Sequence, residues 1–140
     1  MTAGLYVGGE GKHGVRGGRH LVDDRKVLRQ SPPDILLTNY RMLDLLLMRP
    51  SDQALWHRND ALALKYLVLD ELHTYRGAFG SHVANVLRRL ERIARLHGSK
   101  PQFIFASATI GNPQAHASRM LGREVACVGE SGAPVGERRV

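Results

Sequence analysis

Asp70, Glu71 and His73 are the residues of this chain best suited by type and spacing to do chemistry. They follow an apolar run, Tyr66, Leu67, Val68 and Leu69, which brings two carboxylates and an imidazole to the end of one short segment. A run of branched and aromatic residues bounded by charge suits a parallel strand covered on both faces. In an open α/β sheet, ligands gather beyond the carboxyl ends of such strands. There a first carboxylate holds Mg²⁺, usually through water, and a second orients or deprotonates the water that attacks a γ-phosphate. The commonplace alternative is a pair of surface acids at a strand end. The histidine offset and a matching second strand weigh against it.

That second strand is Gln102, Phe103, Ile104, Phe105 and Ala106, and it ends in Ser107, Ala108 and Thr109. The helix between the two, Phe79 to His97, supplies the crossover that a parallel pair requires. Its apolar positions Val83, Val86, Leu87, Leu90, Ile93 and Ala94 recur at helical spacing, with Arg88, Arg92 and Arg95 on another face. One strand ending in Asp-Glu-x-His and the next in Ser-Ala-Thr resemble motifs II and III of superfamily 2 helicases. Pro33 to Leu43, with Thr38 and Asn39 opening a helix, resembles the strand and motif Ib of the same superfamily. The continuation from Asp70 to Val83 is similar to DExH helicases that carry a C-terminal cysteine-rich, metal-binding domain. Ser107 to Pro113 and Gly132 to Arg138 resemble that group at the join between its two motor domains. The likeness runs from about Leu5 onward.

The resemblance implies part of the first RecA-like motor domain of an ATP-dependent helicase, with ATP and Mg²⁺ as cofactors and DNA rather than RNA as partner. By the same resemblance Asp70 holds Mg²⁺ through water and Glu71 positions the attacking water. His73 couples the nucleotide pocket to motif III more than it serves as a base. Ser107 and Thr109 bond toward Asp70 and His73 and, with Ala108 between them, transmit hydrolysis to strand movement. Thr38, Asn39, Arg41 and Arg76 contact the nucleic-acid backbone. A capped helix start such as Thr38–Asn39 is itself a phosphate-binding feature.

One departure limits the chain. These motors grip the triphosphate with a Walker A loop, G-x-x-x-x-G-K-S/T, whose backbone N–H groups and lysine cradle the phosphates. The nearest imitation, Gly8, Gly9, Glu10, Gly11, Lys12 and His13, has Tyr6 where the first glycine belongs and His13 in place of the hydroxyl. Glu10 would turn negative charge toward a phosphate. The expected fold is therefore α/β, a three-layer parallel sheet, a partial RecA-like domain lacking the Walker A strand and loop. Turnover would need that missing segment and a second RecA-like domain with its arginine finger. The alternative is a non-catalytic nucleic-acid-binding or partner-binding remnant, or a subunit completed by a separate polypeptide.

Composition agrees with one domain. The 140 residues are 43% hydrophobic and 24% charged, ordinary for a globular protein. No apolar run approaches a membrane span, and the first ten residues lack the pattern of a signal peptide, so the expected location is the cytoplasm. Cys127 is the one cysteine, which excludes an internal disulfide and a cysteine-built zinc cluster. The net charge of +7 favours an anionic partner. Lys12, His13, Arg16, Arg19 and His20 make the glycine-rich loop from Gly8 to Gly18 and its flank basic.

Pattern and breakers predict strand Leu5 to Val7, a helix over Asp24 to Arg29 stopped by Pro32 and Pro33, and strand Ile35 to Thr38. Helix Tyr40 to Met48 follows, capped by Thr38 or Asn39 and ended by Pro50. Ser51 to Asn59 reads as a connector with Trp56 packed. Strand Lys65 to Leu69 comes next, then the crossover helix and strand Gln102 to Ala106. Pro113 opens a helix to Leu121. Glu124 to Val128 is the last expected strand. Residues 1–128 form the expected domain and 129–140 a linker.

Overall fold

Asn39, Asp24 and Asn112 begin the three capped helices as short polar residues should, each accepting a hydrogen bond from a first-turn N–H. The computed structural model describes residues 1–7, 21–57, 64–108 and 110–129. Their elements run β1 (Ala3–Tyr6), β2 (Leu21–Val22), α1 (Arg25–Gln30), β3 (Ile35–Thr38), α2 (Tyr40–Met48), a 3-10 turn (Pro50–Asp52) and α3 (Ala54–His57). After these come β4 (Tyr66–Leu69), a second 3-10 turn (Leu72–Thr74), α4 (Gly77–Leu96), β5 (Gln102–Phe105) and α5 (Pro113–Leu121).

Every strand pairing is parallel, as alternating strands and helices require. The strands form two sheets rather than the single sheet expected. One has the order β2-β1-β3 and the other is the pair β4-β5. Tyr66 stands opposite Gln102 and Leu69 opposite Phe105, so the segments carrying Asp70 and Ser107 leave their strands side by side. The halves meet where α2 packs along α4, joined by the Asp44–Arg89 ion pair.

The expected three layers are two among the described residues, because the helices lie on one face of the strands. Tyr66 and Val68 are 60% and 64% exposed, and Ile35, Leu37 and Ile104 are exposed on the same alternation in their own strands. The expectation that β4 is buried on both faces is therefore corrected: only its alternate residues, Leu67 and Leu69, face the helices. The core is correspondingly divided. Leu69, Leu72, Val83, Leu87, Ala117 and Met120 gather beneath β4, and Tyr6, Leu28, Met42, Leu46 and Leu55 beneath β1.

Ser51 to Asn59 is not a plain connector, since the 3-10 turn and α3 occupy 50–57 and pack Leu55 into the core. Trp56 is packed as expected, its indole N–H donating to Leu46 O at 3.0 Å. Glu124 to Val128 is not a strand. Val125 N donates instead to Ser118 Oγ at 3.2 Å, and its side chain rests on the core beneath β4. The glycine-rich loop with its Walker A imitation, Gly8 to His13, lies outside the described residues, as do Thr109 and residues 130–140 of the expected linker.

Candidate functional site

The site is built from the chain leaving β4. Asp70 is exposed at the carboxyl end of that strand, and its Oδ1 accepts the backbone N–H of Glu71 at 2.8 Å. Its second carboxylate oxygen accepts no hydrogen bond among the described residues. Glu71 takes φ 55° and ψ 43°, the left-handed region, where a side chain of this size is strained. That backbone turn throws the chain straight into the 3-10 turn of 72–74, and Thr74 Oγ1 closes it by donating to Glu71 O at 2.8 Å.

The turn is fastened to the end of β5. Leu72 N donates to Ala106 O and Ala106 N to Leu69 O, both at 2.9 Å. His116, from the first turn of α5, brings Nε2 to 3.2 Å from Leu72 O. His73 Nδ1 is shielded from solvent and has no partner of hydrogen-bond geometry, although Glu71 Oε2 stands 3.3 Å away. Tyr75, half-buried behind the acids, has its hydroxyl pKa pushed up by burial and then by the charges of Asp70 and Glu71.

Motif III was expected to reach Asp70 and His73 with its hydroxyls. Ser107 is exposed and makes no hydrogen bond to either among the described residues. The contact between the two strand ends runs through backbone, Leu72 to Ala106. Ala108 is exposed, and Thr109 falls outside the described residues.

On the other sheet, Thr38 Oγ1 donates to Tyr6 O at 2.6 Å, so this hydroxyl ties β3 to β1. Asn39 Oδ1 accepts from Met42 N at 2.9 Å, which makes Asn39 the cap between the two candidates. Arg41 Nε donates to Tyr40 Oη at 2.8 Å, and that bond raises the guanidinium pKa. Arg76 is exposed at the start of α4.

Aromatic rings that sequence reasoning passed over bring these two groups together. Tyr40 meets Phe79 edge-on at 5.0 Å between centroids and His82 at 6.0 Å, and Tyr75 lies 5.6 Å from Phe79. Nothing in the local pattern marks such contacts, since Tyr40 and Phe79 are far apart in the chain. Gly80 permits the approach, because a Cβ there would stand 2.6 Å from the carbonyl carbon of Tyr75.

Among the described residues no group of three or more His, Cys, Asp or Glu is arranged to hold a metal. A single exposed carboxylate, fixed through one oxygen and open at the other, fits Mg²⁺. That ion keeps several waters and takes one or two protein carboxylates together with substrate phosphates.

The family model for the DEAD/DEAH box helicases matches residues 9–117. With these strands, this turn and that match, the chain belongs to the DEAD/DEAH box helicase family, as a DExH member of superfamily 2. It is 57% identical over 75 residues to the uncharacterized ATP-dependent helicase YprA of Bacillus subtilis, covering 54% of this chain and 10% of that protein. To the ATP-dependent helicase HRQ1 of Saccharomyces cerevisiae it is 37% identical over 121 residues, 84% of this chain and 11% of that one. Crystal structures of the DUF1998 helicase MrfA share the fold. The form bound to DNA and AMPPNP aligns with TM-score 0.72 and 40% identity over 94% of this chain and 17% of MrfA. The chain thus spans about a tenth of the length of these curated relatives. Among the described residues no helix is long and apolar enough to cross a membrane.

Proposed function

We propose that this chain is the nucleotide-sensing and strand-gripping part of the first RecA-like motor domain of an ATP-dependent DNA helicase, of the group with a cysteine-rich metal-binding domain. The observation that carries the reading is the fastening of the Asp70–His73 turn to the end of β5 through Leu72 N and Ala106 O. Any shift of the acids must then be felt at Ser107 and beyond. The likeness to MrfA, whose structure is bound to DNA and AMPPNP, supports ATP and DNA as the ligands.

Mg²⁺, when bound with the nucleotide, neutralises phosphate charge. Asp70 is the carboxylate to hold it through water, its geometry fixed by the Glu71 amide. Glu71 orients the attacking water. His73, with Nδ1 shielded and 3.3 Å from Glu71 Oε2, senses the state of that carboxylate and passes it toward β5. Asn39, Thr38, Arg41 and Arg76 line the approach of the strand backbone, with the α2 start offering N–H groups to phosphate. Without a phosphate loop in its own sequence, the chain by itself should not turn over ATP.

The test is Glu71→Gln in a helicase carrying this segment. DNA-stimulated hydrolysis is expected to fall by about 100-fold or more while nucleotide binding stays within a few-fold, because orientation of the water is lost and the phosphate contacts are not. Unchanged turnover would overturn the role of Glu71 and the reading with it.

A further inference from the structure

Between the first half of α4 and the start of α5 runs an open groove of about 820 Å³. Arg76, Arg88 and Arg119 stand on its walls with Ser81, Asn85 and Asn112 between them, and among the described residues no carboxylate lines it. Four arginines elsewhere among the described residues have a carboxylate partner. Arg29 pairs with Asp52, Arg89 with Asp44, and Arg95 and Arg123 both with Glu91. The groove arginines do not pair with a carboxylate among the described residues. Arg88 reaches only Asn85 Oδ1 at 3.1 Å and Arg119 only Ala115 O at 3.3 Å, each within its own helix, and Arg76 has no carboxylate partner among the described residues.

Three guanidinium groups without carboxylate partners around one groove favour an anion there, and guanidinium matches phosphate better than any other side chain does. We propose that this groove is a phosphate track for a single nucleic-acid strand, with Arg88 and Arg119 as its contacts. The inference rests on the helicase reading and extends the track beyond the α2 start. Continuity favours nucleic acid over an acidic peptide. Tyr75, on the groove wall, meets Phe79, and Phe79 meets Tyr40, the first residue of α2, so a run of ring contacts, with Phe79 exposed, leads from Asn39 to the arginines. A basic groove bordered by aromatic rings is how unpaired strands are held without regard to sequence.

The test is anisotropy of a labelled oligothymidine with the 140-residue chain over a range of salt. The Arg88→Gln/Arg119→Gln double variant should bind about tenfold more weakly at low salt and lower the slope of log affinity against log salt by about 1 to 2. Arg49→Gln, at the far end of α2, should keep the slope, and Arg88→Lys/Arg119→Lys should restore most of the loss. Matching circular dichroism melts exclude unfolding as the cause. A double variant with the wild-type slope, or one no weaker than Arg49→Gln, overturns the groove and leaves the helicase reading standing. Absence of oligonucleotide binding by the wild type also overturns the groove, while hydrolysis by Glu71→Gln decides the helicase reading separately. Displacement of the oligonucleotide by polyglutamate at equal charge concentration would assign the groove to an acidic protein partner and overturn the proposal.

Discussion

In the half of the molecule built on β1, β3 and α2, a buried carboxylate is held through one oxygen by two neighbours, its other oxygen having no partner among the described residues; in the half built on β4 and β5, the acid at the strand end and the groove arginines have no carboxylate or guanidinium partner there. Asp52 is fully buried under β1. Its Oδ1 accepts from Tyr6 Oη at 3.0 Å and from Arg29 Nε at 2.6 Å, and Arg29 also reaches Tyr6 Oη at 3.3 Å. Burial alone would pull the Arg29 pKa down, but the bond to Asp52 carries the net shift upward. Beside β4, by contrast, Asp70 keeps an open oxygen, His73 Nδ1 has no well-oriented partner and Glu71 sits in the left-handed region. Polar groups that serve the fold are expected to be paired in the fold, and the sparser pairing of the Asp70–His73 turn agrees with its proposed role at a ligand.

Breaking the first half should therefore cost most in stability. Asp52→Ala removes the acceptor of both Arg29 Nε and the Tyr6 hydroxyl, and unfolding free energy should drop by about 2 to 4 kcal/mol. That figure allows for an Arg29 side chain that stays 30% exposed. Urea titration followed by circular dichroism reads it. A loss below about 1 kcal/mol would erase the contrast between the halves.

Gly80→Ala attacks the second half through packing alone. The new Cβ meets the Tyr75 carbonyl, and either the 72–75 segment or α4 must shift, for about 1 to 3 kcal/mol. Intrinsic fluorescence together with urea titration would detect it, and a neutral result would mean the approach of α4 to Tyr75 is looser than it stands here.

The smallest effect is a pH dependence. Burial pushes the Glu91 carboxyl up, but Arg123 at 2.6 Å and Arg95 at 2.9 Å bring the net pKa below its ordinary value. A depressed folded pKa adds stability that is complete above the unfolded pKa of about 4.3 and fades as pH falls through the folded value. Glu91→Gln should thus melt lower than wild type at pH 7, with the gap closing below pH 4.

Local pattern made much of this visible beforehand. Asn39 and Pro50 frame α2, Pro113 opens α5, and the apolar run before Asp70 marks β4 with its acids at the right end. What stayed hidden depends on distant partners. Asp52 looked like one more polar residue in a connector, because its partners lie 23 and 46 residues away. Leu21–Val22 is too short a strand to have a period. Glu124 to Val128 has strand-like residues, yet the Val125 amide finds Ser118 Oγ instead of a neighbouring strand. The apolar face of Tyr66, Val68 and Ile104 reads as core by composition, and only the arrangement of the helices leaves it open.

The claim that the end of β4 gives up stability for chemistry is tested most directly at Glu71. At φ 55° a non-glycine residue carries strain of roughly 1 kcal/mol, which glycine does not bear. Urea unfolding of Glu71→Gly is expected to give a stability about 0.5 to 1 kcal/mol above wild type, although a carboxylate and its contact with His73 are gone. A stability that falls instead would mean that Glu71 holds the turn together, and that its conformation is part of the scaffold rather than a concession to the site.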